Sequence, residues 1–280
     1  MRSFRNLLEH HWSEGRFVCV GLDSELEKIP QTAQQRHSDG SLLIKETIVA
    51  FNRAIIEATH NLVCAYKPNA AFYEAHGLAG VAALEETMKL LHTIAPNVPI
   101  ILDAKRGDIG NTNNGYIASA FDHLKADAIT VHPYLGGESL KPFLDRAEKG
   151  IIIMCRNSNP GAGEFQDLIV EGKPLYQKVA HQVSTQWNQN NNCGLVVGAT
   201  FPSQLREVRQ IVDTMPLLIP GVGAQGGSVQ ETVKAAQDRH GVGMIINSSR
   251  GIIFASVEKD FAEAARRETE KLHHLINQHR

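Results

Sequence analysis

The chain has 280 residues, with 28 Lys and Arg set against 30 Asp and Glu, for a formal net charge of -2. The basic residues are scattered rather than striped, which argues against a nucleic-acid surface, and no apolar run approaches the length of a membrane span. With 42% hydrophobic and 21% charged residues the chain can bury a large core, and its length suits a single (β/α)8 barrel domain over residues 1–280.

The first segment, Met1-Arg2-Ser3-Phe4-Arg5-Asn6-Leu7-Leu8-Glu9-His10-His11-Trp12, mixes apolar and charged residues as a short amphipathic helix does, not as a signal peptide does. Short apolar runs then recur at 17–23, 62–69, 99–105, 128–133, 150–156, 194–200, 217–223 and 243–249. Most are continuous in Val, Ile, Leu and Ala, the pattern of parallel strands covered on both faces. Between them, Leu42, Ile44, Ile48, Phe51, Ile55 and Ile56 recur at helical spacing, as do Leu84, Met88 and Leu91, and Leu205, Val208 and Val212. Ser203 is placed to cap one helix, Ser228 and Glu231 to box another, and residues 256–278 form a closing helix. Eight alternating units without a linker predict a (β/α)8 barrel, with a doubly wound open sheet as the alternative. No GxGxxG follows the first strand, which counts against a dinucleotide fold.

Two connections are long, 24–40 and 157–173, the second through Asn159-Pro160-Gly161-Ala162-Gly163. Both follow strands and so belong to the C-terminal face, where they are candidate lids; a disordered insertion is the other reading of 28–40. Cys19, Cys64, Cys155 and Cys193 lie in or beside apolar runs and form no metal-type spacing. They read as buried, reduced thiols in a cytoplasmic protein. The 13 histidines include no HExxH, so no transition-metal site is expected.

The strand tips carry the chemistry. Asp103-Ala104-Lys105-Arg106-Gly107-Asp108 ends the run Pro99-Ile100-Ile101-Leu102. Alternation along a strand points Asp103 and Lys105 to one face, where two charges are costly to desolvate. Either they close the loop as a strand-end ion pair or they serve proton or charge chemistry. Asp23 and Lys67 end the two preceding strands. Four alternating charges on three adjacent strands favour a site over four solvated tips. The seventh strand ends Pro220-Gly221-Val222-Gly223-Ala224-Gln225-Gly226-Gly227 and the eighth Asn247-Ser248-Ser249-Arg250-Gly251. Loops at these places commonly bind phosphate through backbone N–H groups, and Arg250 adds a charged fork. Tight turns alone would explain the glycines; with Gln225 and Arg250 they favour phosphate.

Together these segments resemble the orotidine 5′-phosphate decarboxylase family, in its longer bacterial subgroup. The resemblance covers nearly the whole chain, through Phe17–Asp23, Tyr66-Lys67-Pro68-Asn69, Leu102–Thr112, Pro220–Gly227 and Ser248-Ser249-Arg250-Gly251. It implies cofactor-independent, metal-free loss of CO2 from orotidine 5′-monophosphate, giving uridine 5′-monophosphate. It also implies roles. Asp23 and Lys67 would hold ribose hydroxyls and join the charge network, Asp103 would sit beside the substrate carboxylate, and Lys105 would give the proton to C6. Asp108, Ile109 and Thr112 would reach into the neighbouring subunit's site, making a homodimer with two shared sites. Ser158 would meet the pyrimidine amide edge, and Gln225 and Arg250 would grip the phosphate. Asp103 and the partner's Asp108 would raise the Lys105 pKa. Two enzyme alternatives are a metal-dependent sugar-phosphate barrel, disfavoured by the cation Lys67 at the second tip, and a Schiff-base aldolase using Lys67 or Lys105. A non-catalytic phosphate-ligand binder is the third alternative.

Overall fold

The computed structural model describes residues 2–223 and 226–280. Eight parallel strands form the main sheet: β1 (Val18–Leu22), β2 (Val63–Pro68), β3 (Ile101–Arg106), β4 (Ala128–Val131), β5 (Gly150–Arg156), β6 (Cys193–Val197), β7 (Leu217–Ile219) and β8 (Met244–Ser248). Their order is β2-β1-β8-β7-β6-β5-β4-β3. The ring closes between β2 and β3, where Tyr66 bridges Ile100, Asn69 bridges Asp103, and Tyr66 N–H donates to Pro99 O at 3.1 Å. Nearly every strand residue is buried, inside the barrel or beneath the helices, as the unbroken apolar runs require.

The strands lie where the apolar runs predict, but β4, β6 and β7 leave the ladder earlier. For β7 the cause is local: Gly221 and Gly223 take φ of 99° and 73°, conformations that end an extended strand and that glycine adopts without Cβ strain. The helices bury most of their predicted stripes, although Leu42 precedes its helix in a bridge with Arg36 and Ile44 is half-buried. Ile44–Thr59 buries Ile48, Phe51, Ile55 and Ile56; Gly77–Ile94 buries Leu84, Met88 and Leu91; Pro202–Val212 buries Leu205, Val208 and Val212.

Two termini differ from expectation. Pro202 opens its helix at the first position, so Ser203 falls inside the first turn and its hydroxyl meets Gln204 instead of capping. The closing helix begins at Phe261, not Ser256, because Ser256 Oγ donates to Asp260 and accepts the Glu258 N–H, forming a turn. Ser228 does cap Val229–Ala236, accepting from Glu231 N–H.

The long connections are ordered by packing. After β1, short 3-10 turns at Leu26–Lys28 and Gln31–Ala33 bury Ile29 and Ala33 against the core. After β5, a two-strand hairpin pairs Ile169–Val170 with Lys173–Pro174 across Glu171 and Gly172, both at positive φ, the geometry of a tight type I′ turn.

The N-terminal end of the barrel is built for stability. The helix Phe4–Ser13 plugs it with Phe4, Leu8 and Trp12. Phe4 lies so close to β5 that a Cβ at Gly150 would fall 2.2 Å from its ring. Arg2 grips the buried Asp127 through two nitrogens at 2.6 and 2.7 Å. Arg209 is buried, and its guanidinium donates to the carbonyls of Ala236, Asp213, Met215 and Gly243. Burial pulls its pKa down to about 10, against the pull of Asp238 and Asp213, which leaves it charged at neutral pH. Replacing it strands four carbonyls. Arg209→Met is expected to destabilise the fold by about 3 kcal/mol, lowering the melting temperature by several degrees with activity at 25 °C unchanged. A melting curve that superimposes on the wild type would show that the carbonyls find other donors.

Candidate active site

The opposite, C-terminal end opens into a cavity of about 260 Å³ whose wall draws on the tips of all eight strands. Asp23, Lys67, Asp103, Lys105, Ser158 and Arg250 all line it. Three of these are cations and two are carboxylates, so the described wall favours an anionic ligand.

The charged array begins at a buried pair. Lys67 Nζ lies 3.0 Å from Asp103 Oδ2 and 3.7 Å from Asp23 Oδ1. Lys105 Nζ donates to the other oxygen of Asp103 at 2.7 Å. Burial opposes the charge on Lys67, but the carboxylates of Asp103 and Asp23 outweigh it and hold the ammonium above the usual lysine range. Burial likewise opposes ionisation of Asp103, and the two ammoniums outweigh it, holding the carboxyl well below the usual range. Beneath them, burial pushes the Cys19 thiol up to about 12, leaving it neutral and non-nucleophilic.

Lys67 and Lys105 differ in exposure. The Lys67 side chain is 5% exposed and that of Lys105 42%. Lys105 reaches its place by a route that simple alternation misses. Its φ is 47° and the β3–β4 register slips between Leu102 and Arg106. A bulge at the tip aims the ammonium back onto Asp103. A left-handed lysine costs about 1 kcal/mol, so the surroundings must hold it.

Thr130, at the middle of β4, does part of this. Its hydroxyl donates to Asp103 Oδ1 at 2.9 Å and accepts the Lys105 N–H at 3.0 Å. Sequence reasoning passed over it; the signal was one polar residue in the apolar run Ala128-Ile129-Thr130-Val131. Asn69 and Asn247, also unremarked as site residues, line the cavity too. Asn247 is 7% exposed, and its Oδ1 has no hydrogen-bond partner among the described residues.

Ser158 enters over β5. The loop behind it is pinned by Arg156, buried, whose guanidinium pairs with Asp167 at 2.9 and 3.0 Å and stacks 4.5 Å from the Phe201 ring. Gly198 lets the loop settle, since a Cβ there would fall 2.8 Å from Ser158 Cα. Arg250 begins the segment after β8. There Gly21 permits a close crossing, since a Cβ at that position would fall 1.9 Å from Ser249 Oγ. After β7, Gly227 N–H donates to Gly221 O and Gly226 N–H to Gly223 O, folding the connection tightly. Gln225 lies outside the described residues.

Asp108, Ile109 and Thr112 do not line the cavity. Asp108 and Ile109 precede the helix Gly110–Ile117, which contains Thr112, and the buried Asn113 of that helix fixes the turn by accepting from Asp108 N–H and donating to the carbonyls of Asp108 and Ser139. Ile109 stands 62% exposed, and Thr112 faces a separate hollow beside Glu74 and Tyr116. Among the described residues no group of three metal-ligating side chains forms, and no helix is long and apolar enough to cross a membrane.

The geometry can be set beside known proteins. A family model described as orotidine 5′-phosphate decarboxylase / HUMPS matches residues 16–267. The chain is 49% identical over 276 residues to orotidine 5′-phosphate decarboxylase of Cellvibrio japonicus (strain Ueda107), covering 98% of each chain. Among solved structures it overlays Leishmania donovani OMP decarboxylase with a TM-score of 0.82 at 37% identity, covering 98% of this chain and 99% of that one. It overlays Leishmania donovani UMP synthase with a TM-score of 0.85 at 39% identity, covering 99% of this chain and 57% of that longer one. On this likeness, and as its strand tips suggested, the chain belongs to the orotidine 5′-phosphate decarboxylase / HUMPS family.

Proposed function

We propose that this cavity decarboxylates orotidine 5′-monophosphate to uridine 5′-monophosphate and CO2, the last step of de novo UMP synthesis, without cofactor or metal. The observation that carries the reading is the contiguous array of Lys67, Asp103 and Lys105, with Lys105 its member most open to the cavity. The pathway is supported by the named relatives.

In this reading the phosphate is held by Arg250, with Gln225 and the backbone of the loops after β7 and β8. Asp23 and Lys67 take ribose hydroxyls, and Ser158 meets the amide edge of the pyrimidine. These contacts set the C6 carboxylate beside Asp103 and C6 beside the Lys105 ammonium. The C6–carboxylate bond breaks, CO2 leaves, and the electron pair stays in an in-plane orbital that the ring cannot delocalise. A fixed ammonium stabilises that charge as it forms. Lys105 then gives its proton to C6 and regains one from water. Distant phosphate contacts supply binding energy for the reacting end.

Two lysines in one array favour this chemistry over the metal-dependent sugar-phosphate branch. The Lys67 ammonium lies between the carboxylates of Asp103 and Asp23, at 3.0 and 3.7 Å, where it would repel a divalent cation. It also makes a Schiff base at Lys67 unfavourable, because the amine is held charged.

The protein is proposed to act as a single-domain cytoplasmic homodimer with shared sites. The four cysteines are buried and unpaired, which suits a reducing compartment. Asp108 and Ile109, on a turn fixed by Asn113, and Thr112, in the helix Gly110–Ile117, all lie off the wall of their own cavity, which suits use by a second copy.

The direct test is the absorbance of orotidine 5′-monophosphate mixed with purified protein in EDTA. Loss of the substrate band with formation of uridine 5′-monophosphate is expected; folded protein that leaves it unchanged would transfer the case to the metal-dependent relatives. Lys105→Ala should cut turnover by about 10³-fold or more with an unaltered circular dichroism spectrum. Normal turnover by that variant would overturn the mechanism. Mixing Lys105→Ala with Asp108→Ala chains should restore activity through one intact shared site. No recovery after verified subunit exchange would count against Asp108 acting in trans.

A further inference from the structure

We propose that Thr130 is a positioning residue that ties the backbone bulge at Lys105 to the carboxylate of Asp103 and so aims the proton-donating ammonium. The proposal rests on the reading of Lys105 given above. Thr130 is 1% exposed and its hydroxyl is used twice. It accepts the Lys105 N–H at 3.0 Å and donates to Asp103 Oδ1 at 2.9 Å. The same Oδ1 receives Lys105 Nζ at 2.7 Å. Lys105 is therefore held at both ends, its backbone by the hydroxyl and its ammonium by the carboxylate that the hydroxyl steadies.

The need for such a tie comes from the bulge. With φ at 47° and the β3–β4 register broken after Leu102, the Lys105 N–H has left the strand ladder. An N–H that has left the ladder needs another acceptor, and the Thr130 hydroxyl supplies it across the strand gap. Because that N–H occupies a lone pair of the hydroxyl, the hydroxyl proton is directed toward Asp103. Asp103 then has three donors: Lys105 and Thr130 on one oxygen and Lys67 on the other at 3.0 Å. A substrate carboxylate placed beside Asp103 would push this carboxylate away by like charge. Three donors from three strands resist that rotation.

Thr130→Val keeps the side chain's shape and removes the hydroxyl. It is expected to lower kcat about 30-fold, through misplacement of the ammonium, while KM for orotidine 5′-monophosphate and calorimetric affinity for uridine 5′-monophosphate stay within about threefold. Thr130→Ser should restore kcat to within about threefold of the wild type. A Thr130→Val enzyme with wild-type kcat overturns the proposal. So does a Thr130→Ser enzyme as slow as Thr130→Val, which would show that the hydroxyl alone does not carry the role. Should the valine variant fail to fold, Thr130→Ser must exceed Thr130→Ala in kcat by about tenfold, and equality of the two overturns the idea. Wild-type protein inert toward orotidine 5′-monophosphate would defeat the functional reading itself, whereas the Thr130 outcomes are all read against an active wild type.

Discussion

The site depends on one buried ion pair, Lys67 with Asp103. Removing two charges from water costs several kcal/mol each, and mutual attraction returns it only when geometry and hydrogen bonding are both good. Here the pair lies at 3.0 Å, and its remaining valences go to Asp23, Lys105 and Thr130. The alternation of sign is what makes the cluster tenable. A carboxylate alone at this depth would take up a proton, and an amine alone would lose one. The barrel meets the requirement because parallel neighbours β1, β2 and β3 end side by side, so Asp23, Lys67 and the Asp103–Lys105 pair of β3 become a chain of contacts. The two ends of the molecule are thereby specialised. The N-terminal end carries the helical plug, the Arg2–Asp127 grip and the four carbonyls held by Arg209, all of which stabilise. The C-terminal end holds charge in a conformation that the rest of the fold must enforce.

Two glycines fix how the ends of the cavity meet. Gly21 brings the tip of β1 against Ser249, beside Arg250, and Gly198 brings β6 under the backbone of Ser158. In each case a methyl group would overlap a neighbour by more than side-chain adjustment easily absorbs. At the Ser158 end the approach is set by backbone, and at the Arg250 end by the short Ser249 side chain against Gly21. This favours a preorganised cavity over one assembled by its ligand. The connection after β5 belongs with this rigidity: the buried Arg156, its pairing with Asp167 and its stacking on Phe201 anchor the base of a segment whose length and glycines had suggested a lid.

The strands and the charged tips were legible in the sequence because both signals are local. Continuous apolar runs mark strands covered on two faces, and a charge at the end of such a run is conspicuous. What was not legible depends on contacts across the chain. Alternation placed Lys105 beside Asp103, and the contact exists, but by a bulge and a left-handed residue that no period-two argument contains. Thr130 is an ordinary strand residue until β3 is laid beside it. Asn113 stands in a polar stretch, Asn111-Thr112-Asn113-Asn114, and only the fold gives it Asp108 and Ser139 to hold. Ser203 illustrates the opposite error: its composition suits a cap, but Pro202 takes the first helical position and moves the boundary past it.

The two lysines on Asp103 share a partner and differ in what they are able to do. Lys67, 5% exposed, is set between the carboxylates of Asp103 and Asp23. Its ammonium is a fixed positive charge, suited to holding Asp103 ionised. Lys105 contacts the other oxygen of the same carboxylate with its side chain 42% exposed to the cavity. Of the two, it combines a place on the cavity wall with wide exposure, the conditions that suit the proposed giving and recovery of a proton. The proposed assignment of proton transfer to Lys105 thus follows from the difference in burial, not from the difference in charge. The bulge in β3 creates that difference: a regular strand would leave the Lys105 N–H in the ladder and direct the side chain by pleat alone, whereas the left-handed turn lifts the ammonium toward the cavity while keeping it within 2.7 Å of Asp103.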